Sequence, residues 1–210
     1  QEQLNHILDF LKEFPEMMSW RGKNKPDINS KPDEERIKNK IIEFSQKKIE
    51  PSVPKTIPDP QVSEILIHYY GVKRKKTEKI KKEHQFSMAA ENIIGELLEE
   101  YIFANSKGKL IRCYGDIIKG TDFLKKDSAG WTLIQIKNRD NSENSSSSSI
   151  RDTLKEKHGV TIIKWYRTKA LTGKTQWQNF PDPALKKILS EQGFTDYIEG
   201  YLTDLKNSEG

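Results

Sequence analysis

A change in hydrophobic spacing near residue 105 constrains this chain more than any other feature. Before it, MAAENIIGELLEEYIFA places apolar side chains at helical intervals behind Ser87, a good N-cap, and so predicts a long helix from Ser87 to about residue 105. After it come four runs rich in β-branched and aromatic residues, KLIRCYGDII, TDFL, WTLIQIKNR and VTIIKWYRTK. The pattern predicts an α/β (α+β) domain in which a long helix precedes a meander of strands.

Further helical segments flank this core. Apolar spacing predicts a helix over residues 2–14, a second from Pro32 to about Lys48, and a helical tail from Pro181. EPSVPKTIPDP, residues 50–60, holds four prolines and is typical of a stiff connector. We therefore expect a helical N-terminal region with a Pro-rich connector over residues 1–60 and a core domain over residues 61–210.

The charge balance favours a polyanionic partner. The chain has 36 Lys and Arg against 31 Asp and Glu, a net charge of +5 and a pI near 9.0. VKRKKTEKIKK, residues 72–82, carries seven basic residues and one glutamate. Such a run is either a solvated face or a phosphate-facing surface, and the sequence leaves both open.

Several classes of function are disfavoured. Cys113 is the only cysteine, so we expect a buried strand residue in a reducing compartment rather than a disulfide framework. The four histidines show no paired metal spacing, and no GxxxxGK[ST] motif signals a nucleotide cofactor. No apolar run approaches the roughly 20 residues of a membrane helix, and no secretory signal is visible, so we expect a cytoplasmic protein without membrane contact.

Three polar side chains are placed to meet at one hairpin. Asp122 follows one short strand candidate, and Gln135 and Lys137 point to the same side of the next strand because alternate residues share a face. A carboxylate and an amide oxygen suit a hard ion such as Mg²⁺, which polarises a phosphodiester, while a lysine stabilises the developing charge. The same spacing also occurs in sheets where each residue merely ends a strand.

The surrounding sequence resembles a known family. Thr121-Asp122 and Gln135-Ile136-Lys137 resemble the active-site hairpin of PD-(D/E)XK nucleases, and IQIKNRDNSENSSSSSIRDT followed by IIKWYR is similar to the SinI family of type II restriction endonucleases. The resemblance covers about residues 86–180. It implies a restriction-endonuclease-like mixed sheet flanked by helices, and a prokaryotic homodimer that uses Mg²⁺ to cleave double-stranded DNA at GG(A/T)CC.

Gln135 departs from the nuclease pattern, which has Asp or Glu at this position. One negative charge is therefore missing, and an amide oxygen binds a hard cation more weakly than a carboxylate. A glutamate of the long helix could compensate, and Glu91 at the flank of the apolar stripe is the one we prefer. Asp116 is a rival to Asp122 as metal ligand.

The polar segment after Lys137 is a candidate DNA-contact surface. Arg, Asn and Asp side chains can read base edges, and serine hydroxyls suit phosphate contacts, whereas a solvated loop is the alternative. The expected DNA-binding residues are Asn138, Arg139, Asp140, Asn141, Asn144, Ser145, Ser146, Ser147, Lys164 and Arg167. Trp165 is expected to pack in or beside the core. A non-catalytic basic module that binds DNA or RNA is the competing hypothesis for the whole chain.

Overall fold

The computed structural model describes residues 2–20, 23–128, 130–140 and 160–208. These residues form two compact units, one made of Gln1–Lys48 with Leu98–Gly210 and the other of Ile49–Leu97. The unit boundaries fall near residues 48 and 97, whereas the sequence suggested a domain boundary at residue 60, which stays a prediction.

Five helices are present in the described part of the chain. They are α1 (Glu2–Glu13), α2 (Lys31–Ser45), α3 (Gln61–His68), α4 (Arg74–Ser106) and α5 (Glu191–Asn207). Pro32 stands in the first turn of α2, and the Ser190 side chain caps α5 by accepting the Gly193 N–H at 3.0 Å. Of the helices that the structure describes, none combines the length and apolar content that crossing a bilayer requires.

The long helix α4 begins 13 residues before the predicted start. Ser87 is an exposed residue in its interior, and the helix starts at Arg74. The basic run was not recognised as helical because it lacks an apolar stripe, yet lysine, glutamate and glutamine are good helix formers. Ion pairs of Lys79 with Glu83, which is exposed, and of Lys81 with Glu78, in which Lys81 is half-buried, add local support.

Four strands form a single mixed sheet in the order β1-β2-β3-β4. They are β1 (Ile111–Arg112), β2 (Phe123–Asp127), β3 (Gly130–Arg139) and β4 (Thr161–Thr168). The first two pairs are antiparallel, but β3 and β4 are parallel, so the predicted meander is wrong for the last pair. A parallel pair needs a crossover of a dozen or more residues, and the connection over residues 140–160 is long enough. The expected α+β class with a mixed, helix-flanked sheet is confirmed.

One face of the sheet packs against the N-terminal helices. The strand register aligns Ile111, Leu124 and Leu133 across β1 to β3, and all three are buried in one cluster with side chains of α1 and α2. The rings of Phe10 and Trp131 meet edge to face, with centroids 5.3 Å apart. The first two helices therefore cover part of the core of the sheet.

The other face carries an aromatic cluster. Alternation along β4 directs Trp165 away from the side of Ile162, and its ring centroid lies 5.1 Å from that of Trp177. Trp177 in turn contacts Tyr101 of α4, and Tyr101 contacts Phe194 of α5. The predicted packing role of Trp165 is confirmed, since the residue is buried.

A tight turn over Tyr114–Asp116 joins β1 to the segment leading into β2. Gly115 has φ +68°, and a Cβ added there would come within 2.5 Å of Cδ2 of Phe44 on α2. Asp116 adopts φ 53°, a left-handed conformation that is uncommon for a residue with a side chain. The backbone of this turn is therefore packed directly against the phenyl ring of Phe44.

Candidate active site

Asp122 immediately precedes β2 and bonds to β3 through both its backbone and its side chain. Its N–H donates to the Ile134 carbonyl at 3.0 Å, and its carbonyl accepts the Cys113 N–H at 2.8 Å. The register of β2 with β3 pairs the next residue, Phe123, with the same Ile134. The structure thus brings Asp122 beside residues 134–136 of β3, the segment that contains Gln135.

The Asp122 carboxylate lies in a poorly solvated position. Its Oδ2 accepts the Ile136 N–H at 2.6 Å. Burial raises the pKa of Asp122 to about 6, although that bond and the ammonium group of Lys137 oppose the rise. The negative charge of Asp116 raises it further. A nearby cation would stabilise the charged form of this buried carboxylate.

Gln135 and Lys137 lie on one face of β3, because alternate residues of a strand share a face. Gln135 is buried at 6% exposure, and Lys137 is exposed near the end of the strand. The parallel register places Lys164 beside Gln135 and Tyr166 beside Lys137. The Lys164 Nζ is 5.0 Å from the centroid of the Tyr166 ring. Two lysines and a tyrosine therefore lie on the same face as Gln135, and the charge of Lys137 acts on Asp122.

Tyr166 is a residue that the sequence analysis missed. Strict alternation in IIKWYR puts Tyr166 on the same face as Lys164, so the signal was present in the strand pattern. It could be used only once β4 was known to pair with β3 in parallel, since that register is what brings Tyr166 to Lys137.

Two carboxylates of α4 that belong to the same unit as the sheet, Glu99 and Glu100, contact β1. The guanidinium of Arg112 on β1 bonds Glu99 at 3.3 Å and also pairs closely with Glu100. Burial lowers the pKa of Arg112, but the charges of Glu100 and Glu99 outweigh this and the net direction is upward. Glu91 is exposed and belongs to the unit Ile49–Leu97, so its role as a metal ligand stays a prediction.

The expected DNA-contact residues divide into three groups. Arg167 is held internally, with its Nε donating to Asn138 Oδ1 at 2.9 Å and its guanidinium paired with Glu191. Asp140 Oδ1 accepts the Ala170 N–H at 2.6 Å, whereas Arg139 is exposed at the end of β3. The remaining predicted contacts lie outside the described residues, and these are Asn141, Asn144, Ser145, Ser146 and Ser147.

The structure agrees with the expected structural role of Cys113. The thiol is free and buried, and burial raises its pKa well above the ordinary value. A buried neutral thiol is a poor nucleophile. Within the described ranges no three side chains of His, Cys, Asp or Glu are grouped so that they could hold a metal ion.

The donor set around Asp122 nevertheless fits a hard divalent cation. Asp122 uses Oδ2 for the Ile136 N–H, which leaves Oδ1 as a ligand, and the Gln135 amide supplies a second oxygen type that Mg²⁺ accepts. Asp116 contributes a further negative charge close enough to act on Asp122. Few protein ligands suffice for Mg²⁺, because this ion keeps several of its waters.

A model of the SinI restriction endonuclease family matches residues 1–204, and the chain belongs to that family. It is 39% identical over 204 residues to the type II restriction enzyme Eco47I of Escherichia coli, a match that covers 95% of this chain and 86% of that protein. It is 37% identical over 210 residues to the type II restriction enzyme SinI of Salmonella infantis, covering 98% of this chain and 88% of that protein. These matches include the N-terminal helices, which lie outside residues 86–180, the part that resembles the family by its motifs.

Proposed function

We propose that this protein is a type II restriction endonuclease that hydrolyses both strands of duplex DNA with Mg²⁺, acting as a homodimer in a prokaryotic cytoplasm. The observation that carries the proposal is the bonding of Asp122 to Ile134 and Ile136, the two neighbours of Gln135, with Lys137 close enough for its charge to act on Asp122. Membership of a restriction endonuclease family supports the reaction class. The resemblance to the SinI family supports GG(A/T)CC as the recognition sequence.

We assign the metal to Asp122 Oδ1 and the Gln135 amide oxygen. Asp116 is the second carboxylate that we prefer, because its charge already acts on Asp122, and Glu91 is the alternative. When bound, Mg²⁺ would neutralise charge on the scissile phosphate and lower the pKa of a coordinated water. The Gln135 amide adds no charge, so a second carboxylate matters more here than in a site that has Asp or Glu at this position.

The side chains of the protein account for the remaining steps. Lys137 stands at the exposed end of β3, where its ammonium can contact a phosphate and stabilise the negative charge that builds up on phosphorus. We propose direct attack by water with no covalent intermediate. Lys164 borders the same face and is assigned to a neighbouring phosphate, while Arg139 is assigned to a guanine edge.

The remaining DNA contacts are assigned to the chain beyond β3. Asn138, Asp140 and Arg167 surround the point where β3 ends, and there the Thr168 hydroxyl also bonds the Asn138 carbonyl at 2.8 Å. Because Arg167 is tied to Asn138 and Glu191, we expect it to support this end of the sheet more than to contact a base directly. Cleavage of both strands requires two such sites, which a twofold dimer supplies on a site with dyad symmetry.

Cleavage of plasmid DNA tests the proposal. Wild-type protein should yield discrete fragments with Mg²⁺ and intact plasmid with EDTA. Lys137→Ala should lower the cleavage rate by at least about a hundred-fold, because the transition state loses the stabilising charge of the ammonium group, while the variant still retards DNA on a gel. Lys47→Ala, which removes an exposed lysine of the α2 end, should cut at the wild-type rate.

Two results would contradict the proposal. Cleavage by Lys137→Ala at the wild-type rate would remove this lysine from the reaction. Retardation of intact plasmid by the wild-type protein, with Mg²⁺ present and no fragments formed, would instead indicate a non-catalytic basic binding module.

A further inference from the structure

Helix α4 carries a row of lysines on its first three turns. Lys75, Lys79 and Lys82 follow one another at intervals of four and three residues, and all three are exposed. At about 100° per residue these positions fall within roughly 60° of one another, so they form one strip on the helix surface. We refer to Lys75, Lys79 and Lys82 as the lysine strip.

The packing of the helix fixes the direction of the lysine strip. Thr77 is buried, and Ile80 and Met88 line a groove of about 420 Å³ together with Leu66 of α3. His84 lines the same groove, and it lies about 180° around the helix from Lys75. Because the opposite side of α4 is occupied by its own unit, the lysine strip faces solvent.

Charge interactions within the helix do not favour lysines at these positions. The structure describes every residue of α4, and none in its first turn is acidic. The other four described helices each have an acidic residue in the first turn. Cations near the positive end of a helix dipole are unfavourable, and so are like charges four residues apart. The exposed pair of Lys79 with Glu83 at 3.6 Å offsets little of this repulsion. An anionic partner would offset the repulsion among these lysines and between them and the positive end of the helix dipole.

We propose that the lysine strip binds the phosphate backbone of duplex DNA without reading its sequence. Seven residues of helix span about 10 Å, which corresponds to about three phosphates of one strand at 3.4 Å each along the duplex axis. Lysine ammonium groups act as point charges on phosphates and carry no base-edge information. This inference rests on the proposed action on DNA and extends it to a unit of the chain that holds none of the hairpin residues.

The test is the salt dependence of binding to a fluorescent duplex of about 30 base pairs that lacks GG(A/T)CC, measured by anisotropy in EDTA. Lys75→Gln/Lys79→Gln/Lys82→Gln should reduce the slope of log K against log salt by about 2.7, because each phosphate that is no longer neutralised lowers it by about 0.9. Raising salt from about 50 to about 200 mM should then weaken wild-type binding about forty-fold more than binding by the variant.

A matched control separates the lysine strip from a general loss of charge. Lys107→Gln/Lys109→Gln/Lys206→Gln also removes three exposed lysines, from the other unit, and should change the slope by less than about 1. Circular dichroism and thermal unfolding check that both variants fold. An unchanged slope in the strip variant, or equal decreases in both variants, would overturn the proposal.

Two further outcomes separate this proposal from others. The triple Lys→Gln variant of the lysine strip is also tested on vesicles of phosphatidylserine and phosphatidylcholine. If it loses vesicle binding while its duplex slope equals that of wild type, the lysine strip binds a lipid surface and the DNA assignment is overturned. The binding assay contains neither metal nor recognition site. A protein that shows the expected slope change but never cuts DNA therefore supports the lysine strip while the proposed nuclease function fails.

Discussion

Asp122 holds a carboxylate where an ionised group is poorly solvated. Its pKa, about 6 in the folded protein, lies above the ordinary value of an unfolded chain because burial favours the neutral acid. Its contribution to stability is therefore fully present below the unfolded pKa near 3.9, and it is lost as pH rises through 6. At neutral pH the ionised Asp122 opposes folding, and this is the energetic cost of keeping the proposed metal ligand ionised.

Asp122→Asn should reveal this cost. The amide keeps an oxygen for the Ile136 N–H but does not ionise, so its stability relative to wild type should rise by about 1–2 kcal/mol between pH 5 and pH 8. Urea unfolding at the two pH values measures the difference. Mg²⁺ at pH 8 should stabilise wild type and leave Asp122→Asn unchanged, because a cation binds only the folded state of the former.

Asp127→Asn is the matched control for this measurement. Asp127 is exposed at the end of β2, so its replacement removes a carboxylate away from residues 134–136, and its difference from wild type at each pH value is the baseline for Asp122→Asn. If the difference in the free energy of unfolding between Asp122→Asn and wild type is the same at pH 5 and pH 8, burial does not perturb the Asp122 carboxylate.

The alternation of residues in a strand was enough to place Gln135 and Lys137 on one face from sequence. The neighbours that complete the site were harder to foresee. The charge of Asp116 acts on Asp122 from a left-handed turn, and the parallel pairing of β3 with β4 places Tyr166 beside Lys137. Neither proximity follows from spacing along the chain. Local periodicity predicts which side a residue faces, but long-range contacts depend on the path of the whole chain.

At the scale of secondary-structure elements, α4 and the sheet are joined through buried charge. Arg112 on β1 is 5% exposed and meets both Glu99 and Glu100. A buried ion group of this kind adds little net stability over apolar residues, but removing one partner leaves the others unpaired. This junction fixes the helix against the strand that leads into the turn of Asp116.

Arg112→Met should therefore lower the free energy of unfolding by about 3–5 kcal/mol, because two glutamates lose their partner in a partly buried position. Arg112→Met/Glu99→Gln/Glu100→Gln should recover most of that loss, since no unpaired charge remains. Urea unfolding of both variants provides the measurement. Lys12→Met removes an exposed lysine and leaves Glu34 paired with Lys38, so it should change stability far less. If the single and triple variants are equally stable, the junction is not held by these charges.

The elements themselves were largely predictable, but their pairing was not. All four strand candidates appear in the sheet, because β-branched and aromatic runs separated by turns are a local signal. The start of α4 at Arg74 was missed because a lysine-rich helix shows no apolar period. The parallel pairing of β3 with β4 was missed because a crossover and a long loop look alike in sequence.

At the scale of the whole molecule, mixing two forms of the chain tests the proposal that a dimer cleaves both strands. Mixing wild-type protein with an equal amount of Lys137→Ala, followed by subunit exchange, should place one active and one inactive site in about half of the dimers. These mixed dimers should nick supercoiled plasmid and so accumulate open circles, which gel electrophoresis resolves. Linear product reduced in proportion to wild-type protein, with no open circles above the wild-type level, would indicate that the chains do not work in pairs.

The contact between Gly115 and Phe44 has a consequence for how the enzyme can be shortened or diversified. The backbone turn that presents Asp116 rests on a ring supplied from the first forty-eight residues, which share one compact unit with the sheet. A substituent at Gly115 would have to displace the phenyl group, and trimming the leading helices would withdraw it altogether. The amino-terminal segment thus supports the turn that carries Asp116, a proposed metal ligand, and libraries that aim at new cutting behaviour should leave both Gly115 and Phe44 unchanged.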